Sequence, residues 1–321
     1  MCLQLKILHL GLVVVILIYF APALKAQHKA GRKALPGGTP VLWREPTDIT
    51  SRDLYLGPGG ESMKPDLTKV TFVENVTRGY SKRFRVRDGS GRQWIAKMGK
   101  EAQPETAAIR IVSAAGYFTD ATYLAPSVEI EGKGTFSNVE FKARSKEIER
   151  VDHWDWQKNP FVGTRELQGL KILMVLLNNW DLKTSNNRIL AVRDDESPSM
   201  ELRYIVSDLG ATFGKTGGVI SHNRNEPNDY IKTKFVTGVR KGIVQFAYHG
   251  KESAILRDIT VDQAQWLGNI LTRLGDEQLR DAFRAANYSP EEVQMLTSGV
   301  RSRINELFNV REIAGRRWGV P

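Results

Sequence analysis

Cysteine is almost missing from this sequence. The 321 residues hold one, Cys2, so near the N-terminus that the body of the chain can form no disulfide, no cysteine-ligated zinc site and no thiol nucleophile. Histidine is scarce as well. The five histidines are scattered, and His153, within Asp152-His153-Trp154-Asp155-Trp156, has no second histidine at metal-ligand spacing, so that stretch reads as a packed loop. No internal repeat is present. Neither sign of charge dominates: 46 Lys and Arg against 36 Asp and Glu give a formal net charge of +10, and the basic residues are dispersed. That reads as a solvated surface and predicts no specific nucleic-acid binding. Trp43, Trp94, Trp266 and Trp318 read as core or anchoring residues, not as platforms for stacked bases. With 41% hydrophobic and 26% charged residues, the chain has a globular balance far from that of disorder.

The longest apolar run covers residues 7–20, after Lys6 and before the small residues Ala21, Ala23 and Ala26. This layout predicts a signal peptide over residues 1–26 and an extracytoplasmic protein, periplasmic or secreted. The run falls short of the roughly 20 residues that span a bilayer, and an uncleaved N-terminal anchor, with membrane association through it, is the alternative. Asn75-Val76-Thr77 and Asn287-Tyr288-Ser289 are glycosylation sequons, which have meaning only in a glycosylating secretory pathway.

Beyond residue 26 the punctuation divides the chain. Residues 27–40, basic and rich in Gly and Pro, read as a flexible linker, and 41–68 as an irregular arm with turn signals at Gly57-Pro58-Gly59-Gly60. Residues 69–135 carry β-patterning: Val70, Phe72, Phe84 and Val86 alternate, Asp88-Gly89-Ser90-Gly91 is a turn, and an extended run ends at Lys97. A helix opening at Pro104-Glu105 and a strand over 123–130 follow. Residues 136–310 read as mostly helical. Thr164 caps a helix whose Leu167, Leu170, Leu173, Met174 and Leu177 form an apolar stripe. A hairpin over 188–206 delivers Ser207-Asp208-Leu209-Gly210, a Gly- and Asn-rich stretch over 214–228 reads as mobile, and amphipathic helices close the chain before a tail at 311–321. Among them, Ser289-Pro290-Glu291-Glu292 is a capping box. The fold class is α+β: a small antiparallel-sheet lobe followed by a mostly helical one.

Phosphoryl transfer from a nucleotide needs a Lys on the phosphates, a carboxylate near the attacking hydroxyl and oxygen ligands for a divalent ion. Asp181-Leu182-Lys183-Thr184-Ser185-Asn186 has the spacing Asp-x-Lys-x-x-Asn, and the hairpin after it returns a second carboxylate, Asp208, from a strand end. Upstream, Lys97 closes a hairpin before a helix bearing Glu105.

Through Ile95-Ala96-Lys97, Glu105, residues 181–186 and Asp208-Leu209-Gly210, the chain resembles the protein-kinase-like superfamily over about residues 70–215. The resemblance implies a bilobal fold that binds ATP and Mg²⁺, with Mn²⁺ as the alternative ion. It implies Lys97 on the phosphates, Glu105 orienting it, Asp181 as catalytic base with Lys183 in the same loop, and Asn186 and Asp208 on the metal. There are departures: Arg78-Gly79-Tyr80-Ser81-Lys82, with one glycine, stands where G-x-G-x-x-G is expected, Asn179-Trp180 replaces His-Arg, Leu209 replaces Phe, and no Ala-Pro-Glu follows. The chain is therefore more similar to atypical branches such as the HipA, phosphoinositide and secretory-pathway casein kinases. The expected function is an exported ATP-dependent kinase acting on a hydroxyl of a protein, carbohydrate or lipid. An extracytoplasmic pseudokinase and a non-catalytic envelope-associated binding module are the alternatives.

Overall fold

The computed structural model describes residues 35–77, 81–144, 148–193, 199–217 and 221–316. Residues 1–26, read above as a signal peptide, residues 27–34 of the stretch read as a linker, and Arg78, Gly79 and Tyr80 of the one-glycine turn lie outside the described residues. A first strand, β1 (Thr39–Val41), falls where linker gives way to arm. The arm then runs through single 3-10 turns at Ile49–Ser51 and Gly57–Gly59. The first lobe consists of β2 (Thr71–Asn75), β3 (Arg83–Arg87), β4 (Gln93–Lys97), α1 (Ala102–Ala114), β5 (Thr122–Ile130) and β6 (Gly134–Ala143). Its five strands pair antiparallel in the order β2-β3-β4-β6-β5. Helix α1 thus leaves from the middle strand and returns to the edge, and the sheet extends to Ala143, beyond residue 135.

Side chains alternate across a strand, so Arg83-Phe84-Arg85-Val86-Arg87 sorts itself onto two faces. Phe84 and Val86 join Trp94, Ala96, Val139 and Phe141 in one apolar cluster. The arm closes this face: Met63 packs on the cluster, and the Tyr123 hydroxyl donates to Gly60 O at 2.7 Å. Trp94, fully buried, donates its indole N–H to Asp88 Oδ2 at 2.8 Å, which ties the core to the Asp88 turn. Each such large apolar side chain contributes about 1.5–3 kcal/mol by leaving water. The opposite face is charged. Register places Arg83 beside Lys97 and Lys97 beside Glu140, with Lys142 two residues further on the same face. This face looks toward α1 and the second lobe.

The second lobe is built from β7 (Ile148–Asp152), α2 (Arg165–Leu176), β8 (Asn187–Arg193), β9 (Met200–Val206), α3 (Pro227–Lys232), β10 (Val236–Arg240), β11 (Ile243–Phe246), α4 (Val261–Leu271), α5 (Asp276–Arg284), α6 (Pro290–Phe308) and α7 (Val310–Arg316). A four-stranded sheet, β1-β9-β8-β7, has β1 parallel to β9 and its other pairs antiparallel. Helix α2 is buried from Leu167 to Leu176. A β-carbon on its Gly169 would come within 2.6 Å of the Trp266 ring, so the absence of a side chain lets the neighbouring segment close on the helix. The apolar side of α1, including Ile109, Ile111 and Val112, belongs to this lobe's core and not to the sheet's cluster. The Ser289 capping box forms, with Ser289 Oγ accepting from Glu292 N at 3.2 Å and Glu292 Oε2 from Ser289 N at 3.0 Å. The tail read at 311–321 begins as helix α7. The stretch read as mobile is bonded on both sides of residues 218–220, which lie outside the described residues: Lys215 N donates to Asn223 Oδ1 at 2.7 Å, and Thr216 bridges to His222. Among the described residues no helix is long and apolar enough to cross a membrane.

Candidate functional site

Helix α2 aims the loop that carries Asp181. After it, Asn178 adopts a left-handed conformation (φ 54°), which Asn tolerates better than most residues, and Asn179 N bonds back to Met174 O at 2.8 Å. Arg303 of α6, buried, satisfies the end of the helix by donating to Leu176 O at 2.6 Å and Asn178 Oδ1 at 2.8 Å. These bonds turn the chain so that Asp181 leaves the core half-buried. Lys183 Nζ stands 2.9 Å from Asp181 Oδ2, Lys251 Nζ stands 2.8 Å from Oδ1, and Asn186 Nδ2 donates to the Asp181 carbonyl at 2.6 Å. Burial pushes the Asp181 carboxyl up, but the two lysines and Asn186 outweigh it and hold the group below the ordinary Asp range.

The β8–β9 pairing then brings the second carboxylate to the same place. Asn187 pairs with Val206, and just beyond that rung Ser207 N donates to Asn186 O at 2.8 Å, so Asp208 emerges beside Asn186. Ser207 is held from the other lobe as well: Lys142 Nζ donates to its carbonyl at 2.8 Å, and its hydroxyl donates to Asp120 Oδ2 at 2.6 Å. The Asp208 carboxyl is pushed up by burial and pulled down further by Lys97, Lys142 and Arg83, which leaves it ionised.

Lys97 completes the convergence. Its ammonium lies 2.5 Å from Glu105 Oε2, 2.9 Å from Glu101 Oε2 and 3.7 Å from Asp208 Oδ1. Burial disfavours this charge, and Glu105 and Asp208 more than restore it. Glu105, fully buried on the first turn of α1, accepts from Lys97 with one oxygen and from Lys142 with the other. Gly210 sits under this cluster: a β-carbon there would be 2.8 Å from Glu101 Cβ and 3.2 Å from Lys97 Nζ. The six residues singled out from the sequence therefore fall in two groups, Lys97 with Glu105 and Asp208, and Asp181 with Lys183 and Asn186. The base of the β8–β9 hairpin joins them. A Lys on the third strand of the sheet, a Glu on the helix after it and an Asp at a strand end facing both are the placements that a kinase-like phosphate site uses.

Three similar solved structures are kinases. The crystal structure of the Helicobacter pylori proinflammatory kinase CtkA is 14% identical, with a TM-score of 0.48, covering 78% of this chain and 98% of that one. The Rio2 kinase from Chaetomium thermophilum, in an ADP/Mg²⁺-phosphoaspartate complex, is 12% identical, with a TM-score of 0.30 and coverages of 73% and 72%. The Golgi casein kinase is 9% identical, with a TM-score of 0.31 and coverages of 81% and 78%. No protein-family model matches the chain. No curated protein matches it.

A cavity of about 580 Å³ flanks the two groups, with Lys82, Lys100 and Glu101 on the first-lobe side and Trp180, His222 and Arg224 facing them. Glu101 spans its wall, accepting from Ser81 Oγ at 2.5 Å and from Arg224 as well as from Lys97. Among the described residues no cluster of three His, Cys, Asp or Glu side chains could hold a metal ion alone. The donors suit a hard divalent ion brought in by phosphates: Asn186 commits its amide nitrogen to Asp181, leaving its oxygen as ligand, and Asp208 offers an ionised, part-exposed carboxylate.

Glu101, Glu140, Lys142 and Lys251 were not singled out from the sequence. For Glu140 and Lys142 a signal existed, since Val139-Glu140-Phe141-Lys142 alternates buried apolar residues with buried charges. Among the described residues neither carboxylate oxygen of Glu140 has a hydrogen-bond partner. Burial and the neighbouring Glu105 charge push its carboxyl up from 4.5 to about 8, with Lys142 and Lys97 opposing. Between those values the folded chain holds a proton that the unfolded chain has released, so Glu140 erodes stability as pH rises from about 4.5 to about 8. Glu140→Gln is expected to match the wild type near pH 5 and to exceed it by about 1–3 kcal/mol near pH 8. Urea midpoints at the two pH values check this; equal losses at both would mean that Glu140 is ionised and paired.

Proposed function

We propose that this chain is a kinase-like phosphotransferase that moves the γ-phosphoryl group of ATP to a hydroxyl acceptor. The observation that carries the reading is the convergence of Lys97, held by Glu105, with Asp208 at the end of the hairpin whose other strand starts beside Asn186 and Asp181. Lys97 binds the phosphates. Asn186 and Asp208 would hold Mg²⁺, which when bound offsets the phosphate charge. Asp181 orients the acceptor hydroxyl. As the bond from acceptor oxygen to γ-phosphorus forms, the bond from that phosphorus to the β-phosphate oxygen breaks, the hydroxyl proton passes to the Asp181 carboxylate, and ADP leaves. A carboxylate kept ionised by two lysines is a weak base. That suits a loose transition state, in which positioning outweighs proton abstraction.

The apolar run at residues 7–20 supports an extracytoplasmic location, where ATP or a replacement phosphoryl donor must be supplied. A second reading, a pseudokinase that binds nucleotide without transfer, is favoured by Glu101, which stands on Lys97 beside Glu105. Saturating MgATP is expected to raise the melting temperature of the full-length protein by several degrees, since ligand at about a hundredfold excess over Kd adds roughly 2.7 kcal/mol. MgADP raises it too, and ATP with EDTA much less. No shift with MgATP would end both readings.

A further inference from the structure

The ammonium of Lys251 reaches Asp181 from a loop beyond β11 that contributes nothing to the motifs. Its Nζ is 2.8 Å from Asp181 Oδ1 while Lys183 Nζ is 2.9 Å from Oδ2, so each oxygen of the carboxylate has its own ammonium. The loop is fixed in place. Lys251 N–H donates to Trp180 O at 2.8 Å, and the buried Tyr248 hydroxyl lies 2.7 Å from Asn179 O and 3.2 Å from Lys251 O. A β-carbon on Gly250 would lie 2.8 Å from Trp180 Cα, so this close approach requires glycine. Glu252, with φ 57°, is left-handed and turns the chain away directly after the lysine. A half-exposed ion pair adds little to stability and needs none of these constraints.

We propose that Lys251 is a catalytic residue: with Lys183, it contacts the phosphoryl group as that group passes from nucleotide to acceptor beside Asp181. The proposal rests on the phosphotransferase reading above. In that transfer the acceptor oxygen–phosphorus bond forms, the bond to the β-phosphate oxygen breaks, and the proton goes to Asp181. Negative charge spreads over the equatorial phosphoryl oxygens, where an ammonium fixed beforehand stabilises it. The groups facing Asp181 are Lys183 and Asn186 from its own loop and Lys251 and Tyr248 from the second loop, with Arg224 and His222 against the neighbouring Trp180 ring.

The test is transfer from γ-labelled ATP by the full-length wild type, Lys251→Ala and Lys251→Arg, with MgATP melting shifts alongside. For Lys251→Ala, kcat is expected to fall about ten- to hundredfold, with KM for ATP within about twofold of wild type. Lys251→Arg restores most of the rate. Wild-type kcat in Lys251→Ala, a loss confined to KM, or Arg no better than Ala would overturn the proposal. Should the Ala protein not fold, Lys251→Gln carries the same test. A wild type that neither transfers phosphate nor shifts with MgATP overturns the phosphotransferase reading itself, and that outcome is read from the wild type alone.

Discussion

Asp208→Asn is expected to lose both MgATP binding and phosphate transfer, and Asp181→Asn to lose transfer alone. Asp208 offers an ionised carboxylate near Lys97, so the amide removes a charge that both a divalent ion and the Lys97 ammonium require. A loss of about a thousandfold or more in transfer is in proportion to removing a direct metal or transition-state contact. Folding is retained, because Lys97 keeps Glu105 and Glu101 as partners. Asp181 touches neither Lys97 nor Asp208; its partners are Lys183, Lys251 and Asn186. Its amide variant is expected to keep the MgATP melting shift while transfer falls about 10²–10⁴-fold, the range for a lost acid–base group. Melting shifts and label transfer measured on the same two proteins separate the roles. Equal effects on binding in both variants, or transfer surviving in Asp208→Asn, would remove the reason to place a metal at Asp208.

The parts of the site that were legible are those written locally. Asp181, Lys183 and Asn186 lie within one short loop, and the strand-turn-strand after it dictates where Asp208 returns, because antiparallel register is fixed once the turn is fixed. Lys97 and Glu105 were visible for a similar reason: a strand end followed by a helix start brings a side chain from each together. The rest depends on contacts that no local pattern encodes. Lys251 reaches Asp181 across 70 positions, and Arg303 reaches Asn178 across 125. The strand over Thr39–Val41 exists because it pairs in parallel with Glu201–Arg203, a partner invisible from a Gly- and Pro-rich segment. The sheet lobe's reach to Ala143 escaped the same way, since the alternating charges of β6 look like surface until Lys97 and Glu105 are set against them. Loop 214–228 read as mobile from its glycines, yet Asn223 bonds to Lys215 and Trp180, contacts decided by the folded lobe.

Glu105→Gln tests whether the buried carboxylate has a role beyond stability. Glu105 is fully buried between two buried ammonium groups, Lys97 and Lys142. Gln keeps the shape and removes the charge, which leaves two cations with one fewer counter-ion in a low-dielectric site. Breaking a buried pair in this way costs about 3–5 kcal/mol, or a melting temperature lowered by roughly 10 °C at this size. Lys142→Met in the same protein should recover much of that loss. It removes the excess cation, and Lys97 retains Glu101 and Asp208. Transfer should not recover with it. On the proposed function, Lys97 in the double variant keeps Glu101, at the cavity wall, and Asp208, which a bound divalent ion would engage, so its ammonium loses the contact that fixes it for the phosphates. A double-mutant cycle in melting temperature, read beside label transfer, separates the two effects. Recovery of both would make Glu105 a counter-ion and nothing more; recovery of stability alone is the signature of a residue that aims Lys97.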